Sequence, residues 1–230
     1  MSATGIAAIS DGLRSQFLAG LSPTDRKVIL SGASQRHFAA RAVITHHGHP
    51  AEQLYLLSKG LVRYFFVTDQ GKKILFRWIG PGDIFGGRAI LSSPSNYLFS
   101  AESVSEISTF VWSRPAIRRL VTQHPLLLEN ALLTASDHVD WQLTSYLGLA
   151  NLTARQRVAQ ILITLARTVG QSVPGGVSLR ITNEELASAA NVTSFTASRL
   201  VSQWQRERAL VKRRGQVLVV SPERMLFHML

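Results

Sequence analysis

Apolar residues recur at helical spacing towards the C-terminal end of the chain. Ala197, Leu200, Val201 and Trp204 fall on one helix face, and Leu186, Ala187 and Ala190 make a shorter stripe just before it. Asn191 separates the two, a residue type that tolerates the left-handed backbone of a tight turn. Thr182, with Glu185 three residues on, predicts a capping box for the first helix. Thr193 predicts the cap of the second. Ser194, Thr196, Ser198, Arg199 and Arg206 interleave with the apolar positions and are left to face a partner. Further on, Leu210-Val211 and Val217–Val220 flank a basic tip of Lys212, Arg213, Arg214 and Gly215, which predicts a hairpin. Two short helices across a tight turn, then a basic hairpin, is the layout of a winged helix-turn-helix, whose second helix enters a DNA major groove. An ordinary helical hairpin with a solvated polar face has the same hydropathy, so charge has to separate the two.

Upstream the pattern differs. Short apolar runs at Ala42–Thr45, Leu54–Leu57, Leu61–Val67, Ile74–Ile79 and Ile107–Trp112 alternate with turn-formers. Thr68-Asp69-Gln70-Gly71 predicts a hairpin turn, and Gly80-Pro81-Gly82-Asp83 a sharp reversal. Many short strands at regular spacing predict a sandwich, jelly roll or barrel. Ser22, Pro23 and Asp25 predict a capped helix start before it. After it, a helix begins near Pro115, Pro125 restarts it, and Leu126–Leu149 forms one long helix. Leu128, Leu132, Ala135, Val139, Gln142, Tyr146 and Leu149 fall on a heptad seam there, which predicts an intersubunit coiled coil rather than a helix packed on its own barrel. Leu152–Val169 predicts a further amphipathic helix, with a loop over Gly170–Gly176 and a hinge near Leu149–Thr153. The expected fold class is α+β, divided into a roll with N-terminal helices over 1–124, a dimerisation helix and hinge over 125–150, and a winged helix-turn-helix over 151–230.

Charge favours the DNA reading. The chain carries 25 Lys and Arg against 14 Asp and Glu, a formal charge of +11. Residues 151–230 hold eleven of those bases and four acids, a balance of +7 in about a third of the length, as a phosphate-binding surface requires. The absence of cysteine excludes disulfides, thiolate zinc sites, cysteine-ligated iron–sulfur clusters and thiol switching. No apolar run is long enough to span a membrane. The N-terminus, with Asp11 and no charged leader region, makes a poor signal peptide, so a cytoplasmic protein is expected.

A β-roll (jelly roll), a long helix and a winged helix, in that order, resemble the cyclic-AMP receptor protein/FNR (Crp/Fnr) superfamily of bacterial transcription regulators. The resemblance runs from about Leu21 to Val220, and its most specific parts are Pro81-Gly82-Asp83-Ile84-Phe85-Gly86 and Ile181–Leu200. It implies a cyclic-nucleotide-binding-like roll and a homodimer through Leu126–Leu149 that senses an effector in the roll. It also implies palindromic double-stranded DNA and RNA polymerase as partners, and no membrane. Position by position, the roll departs from the nucleotide-binding members. Gly87 stands where they carry the glutamate that holds the ribose, and Phe99 precedes Ser100-Ala101 where they carry the phosphate-clamping arginine. Gln142 and Leu143 align with the threonine and serine that contact the purine. A buried cyclic phosphate without its cation is heavily penalised, so the expected effector is not cyclic AMP. Phe85, Gly86, Gly87, Arg88, Phe99, Ser100 and Gln142 remain the candidate effector-pocket residues. Arg88 is the strong anion handle among them, with the Gly86 and Gly87 N–H groups beside it, unless it is solvated or paired with an acid. Tyr64, Phe66, Phe76, Trp78 and Phe85 either line an apolar pocket or are plain core.

At the DNA end the resemblance assigns Arg199 to guanine, whose O6 and N7 fit the guanidinium fork, and matches Ser198 to the FNR-like branch. Phe195 replaces the glutamate that many members use for cytosine and offers only apolar contact, such as with a thymine methyl. Thr193, Ser194 and Thr196 suit phosphate at the helix N-terminus, and Lys212, Arg213 and Arg214 suit phosphate on the wing. Two other readings compete: an effector-independent regulator of the same fold, and a cupin-like metal enzyme built on His46, His47 and His49 before Glu52. The spacing departs from the cupin motif, so no metal ligands are assigned; haem ligation by a histidine is left open as a cofactor.

Overall fold

The computed structural model describes residues 13–71, 73–213 and 215–226. Residues 1–12, the greater part of the segment read as a poor signal peptide, lie outside the described residues, as do the wing residue Arg214 and His228. Contacts divide the chain into two units, one of Met1–Lys73 with Trp78–Asp140 and one of Ile74–Arg77 with Trp141–Leu230.

In the first unit, helix α1 (Pro23–Ser31) starts on Ser22, whose hydroxyl accepts from the Asp25 N–H at 3.0 Å. Eight strands follow: β1 (Ser34–Phe38), β2 (Val43–Thr45), β3 (Gln53–Lys59), β4 (Val62–Val67), β5 (Lys73–Ile79), β6 (Ile84–Phe85), β7 (Ser100–Ser103) and β8 (Ile107–Ser113). They form two four-stranded sheets, ordered β1-β8-β3-β6 and β2-β7-β4-β5. The turn at Thr68–Gly71 closes through Gly71 N–H to Thr68 O at 2.8 Å. In the reversal at Gly80–Asp83, the Asp83 carboxylate accepts from the Gly80 N–H at 3.0 Å.

Strand β3 buries both faces, which is why it reads as an unbroken apolar run rather than an alternation. Leu54 and Leu56 join Phe110, Trp112, Ile29 and Leu30 in one core. Tyr55 and Leu57 point the other way, into a second core with Val62, Ile79, Phe85, Ala101 and Val111. Helix α2 (Arg114–Gln123) is capped by Ser113 with Pro115 in its first turn, and α3 (Leu126–Asn151) follows after His124. Leu127, Asn130 and Thr134 make the buried side of α3 in this unit. Asn130 donates to Phe17 O at 3.1 Å and Ala19 O at 2.9 Å.

The second unit contains α4 (Ala154–Thr168), whose cap Thr153 and Gln156 exchange both bonds of a capping box. Strands β9 (Gln171–Val173), β10 (Gly176–Leu179), β11 (Leu210–Arg213) and β12 (Gln216–Val219) form a sheet in the order β11-β12-β10-β9. Helices α5 (Asn183–Ala189), α6 (Ser194–Arg206) and α7 (Pro222–Leu226) complete it. The loop expected over Gly170–Gly176 is instead largely a β9–β10 hairpin, turning at Pro174 and Gly175, the latter at φ 88. All three residues of β9 are exposed, so the strand carries no apolar signal. The same holds for β7, Ser-Ala-Glu-Ser, whose four residues are nonetheless all buried.

Burial of β7 encloses a charge. Glu102 pairs with Arg63 across the β4–β7 register at 2.7 Å and with Lys73. Desolvation pushes its carboxyl pKa up, but the hydrogen bonds from Lys73 and Arg63 outweigh burial and leave it below its ordinary value. A depressed folded-state pKa gives stability that is present above the unfolded value and lost as pH falls through the folded one. Glu102→Gln should therefore flatten the acid limb of stability, read as denaturant midpoints between neutral and strongly acid pH. An unchanged limb would remove this pair from the acid response.

Candidate functional site

Helices α5 and α6 meet across a turn fixed by backbone chemistry. Thr182 caps α5, its hydroxyl accepting from Glu185 N–H while the Glu185 carboxylate accepts from Thr182 N–H at 2.8 Å. Asn191 takes φ 48, and Val192 N–H returns to Ala187 O at 2.9 Å. Thr193 caps α6 by accepting from Thr196 N–H at 3.1 Å. Ala197, Leu200, Val201 and Trp204 are buried, Trp204 completely. The expected stripe is the observed one, and its burial fixes which side of α6 looks outwards.

That outward side gathers most of the predicted DNA residues. Ser194 and Arg199 are exposed, Thr196 and Ser198 half-buried, and Phe195 is 78% exposed. The Arg199 guanidinium meets no partner among the described residues, nor do the N–H groups of Ser194 and Phe195 in the first turn. Such free amides at a helix N-terminus are anion donors. The Thr193 and Thr196 hydroxyls lie 2.9 Å apart and hold each other. Lys212 and Arg213 end β11, where Arg213 pairs with Gln216 in the hairpin register, and both are exposed.

Three of the bases counted for this surface are engaged by the chain's own groups. Arg155 binds the Glu207 carboxylate at 3.0 Å and lies over the Trp204 ring at 5.1 Å. Arg224 donates to Glu207 O at 3.3 Å. Arg157 donates to Leu152 O at 2.7 Å, Ala190 O at 2.9 Å and Asn191 O at 3.3 Å. It thus caps the carbonyl ends of α3 and α5 together, where the helix dipoles favour a cation. Sequence reasoning missed this role, although a signal existed. Arginines in the first turns of α4 sit at the wrong end of that helix's dipole, which implies another employment.

In the roll, several of the candidate effector residues bond to or pack on the chain's own side chains. Gly86, at φ 77, donates its N–H to the Tyr64 hydroxyl at 2.8 Å, and a Cβ there would meet Gln53 O at 2.6 Å. Tyr55 stacks on Phe85 with ring centroids 4.5 Å apart, and Tyr64 lies 5.5 Å from Phe99. Tyr55 donates to the Gln53 side chain at 2.7 Å, and Tyr97 to Gln53 O at 3.0 Å. Burial raises the phenol pKa of both. Arg88 donates to Ser95 Oγ at 3.0 Å and Asn96 O at 3.4 Å, and pairs with no acid among the described residues. Ser100 is buried and accepts from His47 N–H at 3.0 Å. A side chain at Gly87 would have open space around its Cβ. Gln142 is half-buried on α3 in the second unit. Trp78 is core, while Phe66 packs on the His47 ring at 4.9 Å. The His46 and His49 rings lie 5.2 Å apart, and no group of three or more metal-type side chains converges among the described residues.

Two family models match this chain: a cyclic nucleotide-binding domain over residues 35–124 and a Crp-like helix-turn-helix domain over residues 156–226. The cAMP-activated global transcriptional regulator CRP of Pasteurella multocida is 24% identical over 194 residues, 83% of this chain and 91% of that protein. The transcriptional activatory protein AadR of Rhodopseudomonas palustris is 24% identical over 208 residues, 89% of this chain and 84% of that protein. The solved structure of FixK2 from Bradyrhizobium japonicum matches with a TM-score of 0.73 at 22% identity, covering 84% of this chain and 95% of that one. The chain belongs to the Crp/Fnr superfamily. It is a transcription regulator with a DNA-binding helix-turn-helix, and no helix among its described residues is long and apolar enough to cross a membrane.

In the roll, Gly87 has no side chain, Phe99 carries no charge, and the Tyr64 hydroxyl holds the Gly86 amide. The best-built polar element of the second unit is Arg157. Hydrogen bonds to charged groups contribute about 1.5–3 kcal/mol each, so Arg157→Ala should lower the stability of this unit by about 2–3 kcal/mol. Arg157→Lys should recover only part of that, because an ammonium cannot span three carbonyls in a fork. Full recovery by lysine in chemical denaturation would show that charge alone matters there.

Proposed function

We propose that the chain acts as a homodimer that reads a palindromic double-stranded operator with one α6 helix per subunit and takes no cyclic AMP. The observation that carries this is the division of α6, a fully buried apolar stripe on one side and a free Arg199 with unsatisfied N-terminal amides on the other. Thr193, Ser194, Phe195, Thr196, Ser198 and Arg199 are the reading surface, with Lys212, Arg213 and Arg214 as a phosphate clamp. Pairing runs along α3, where Leu128, Leu132, Val139, Tyr146 and Leu149 are 42–71% exposed at heptad spacing. Paired chains place two reading helices about one DNA turn apart, roughly 34 Å.

The domain plan on this reading is the roll over 1–124, the pairing helix and hinge over 125–150, and the reading module over 151–230. RNA polymerase, a cytoplasmic location and a non-enzymatic role follow from the same reading. A second version, in which the roll works without any effector, is favoured over effector gating by one observation: the bond of the Tyr64 hydroxyl to Gly86, inside an aromatic cluster that leaves the recognition atoms engaged.

The test is a titration of duplexes selected from a random pool by the purified chain, with and without millimolar cyclic AMP. Arg199→Ala should weaken binding by about 1–3 kcal/mol per half-site and relax selectivity at one base pair. Arg213→Ala should weaken all sequences alike and reduce the salt slope by about one. Cyclic AMP should change neither affinity nor preference; a nucleotide-dependent gain would sink that part of the proposal. Leu132→Glu with Tyr146→Glu should make the chain monomeric in sedimentation while the second unit stays folded. A persistent dimer would place the interface elsewhere.

A further inference from the structure

Phe195 is the most exposed large apolar side chain among the described residues, at 78%. Most of the other high values belong to α3, where a partner helix would cover those on the seam. Phe195 sits instead in the first turn of α6, on the side opposite the buried Ala197–Trp204 stripe. Its ring makes no aromatic contact among the described residues. Four residues on, the unpartnered Arg199 lies on the same helix face. A phenyl ring held in water beside a free guanidinium and two free amides has no role in holding this helix in place.

We infer that Phe195 is a base-specificity residue that packs on the 5-methyl group of a thymine in the operator half-site. The assignment rests on the DNA-reading proposal above and extends it to the base identity. Among the groups that base pairs present in the major groove, the thymine methyl is the apolar one, and the rest are donors or acceptors that a phenyl ring leaves unpaired. One helical turn advances about 5.4 Å, while base pairs stack about 3.4 Å apart. The thymine therefore lies one or two base pairs from the guanine read by Arg199. Desolvating the ring against that methyl gives Phe195 the partner its exposure lacks.

The experiment takes the duplex selected by the wild-type chain and replaces each thymine in turn by deoxyuridine, which removes only the methyl. Wild type should lose roughly fourfold per half-site at one thymine position, the equivalent of one buried methyl. Phe195→Ala touches none of the buried stripe and should bind with no sensitivity to that replacement, whereas Arg199→Ala should keep it. Phe195→Glu should move the preferred base at the same position from thymine towards cytosine, whose amino group a carboxylate accepts from. Equal deoxyuridine sensitivity in wild type and Phe195→Ala, or none in either on a duplex that is bound specifically, overturns the assignment alone. A wild-type chain that protects no duplex from cleavage overturns it together with the DNA reading.

Discussion

Helix α6 can bury only one stripe, and that constraint organises the second unit. With about 3.6 residues per turn, placing Ala197, Leu200, Val201 and Trp204 in the core forces Phe195, Arg199 and Arg206 to the opposite side. The packing term is large, because Trp204 is completely enclosed and a full-size aromatic is among the most costly side chains to expose. The turn before it serves the same end. Asn191 in the left-handed region lets Val192 N–H reach back to Ala187 O, and small Ala187 and Ala197 allow the two helices close approach. The reading face is thus determined from behind, by what the helix hides.

Polar wiring then holds the frame. Glu207 receives Arg155 and Gln203 through its carboxylate and Arg224 through its backbone carbonyl, at the C-terminal end of α6. Arg157 gathers carbonyls from Leu152, Ala190 and Asn191, so the end of α3 and the turn between α5 and α6 share one guanidinium. These bonds spend positive charge internally, which changes the meaning of the charge count. The bases that remain outward, Arg199, Arg206, Lys212 and Arg213 among them, are fewer but better placed than a sum over residues suggests.

The caps, the α6 stripe and the left-handed Asn191 were legible in the sequence because each is a local rule: a side chain two to four residues from the group it satisfies. The β3, β4, β5 and β8 runs were legible for the same reason, through continuous or alternating apolar positions. What escaped was non-local. Strand β7 is Ser-Ala-Glu-Ser, and its burial depends on Arg63 and Lys73 from strands far along the chain. Strand β9 is entirely exposed and exists through backbone pairing to β10. Arg88 is the strong anion handle of the roll by residue type, yet its Nη1 donates to Ser95 and Asn96, a loop closure no pattern announces. On α6, residue types could name Phe195 and Arg199, but only the burial of the opposite stripe shows that they face outwards, and only the Glu207 contact shows that Arg155 on α4 is engaged.

The roll carries the same logic to the question of effectors. A cyclic nucleotide needs a cation for its phosphate and acceptors for its ribose, because burying an unpaired anion is prohibitive. Around Phe85 and Gly86 the roll places phenols and phenyl rings: Tyr55 on Phe85, Tyr64 between Phe85 and Phe99, Tyr97 on Gln53. Replacing them would break the Tyr64–Gly86 and Tyr55–Gln53 bonds as well as the ring contacts, with no ionic gain in return. Meanwhile the most exposed large apolar side chains among the described residues lie elsewhere, along α3 and at Phe195. Free energy is therefore available from covering α3 and the outward face of α6. On the reading proposed above, a second copy of the chain covers the first and DNA the second.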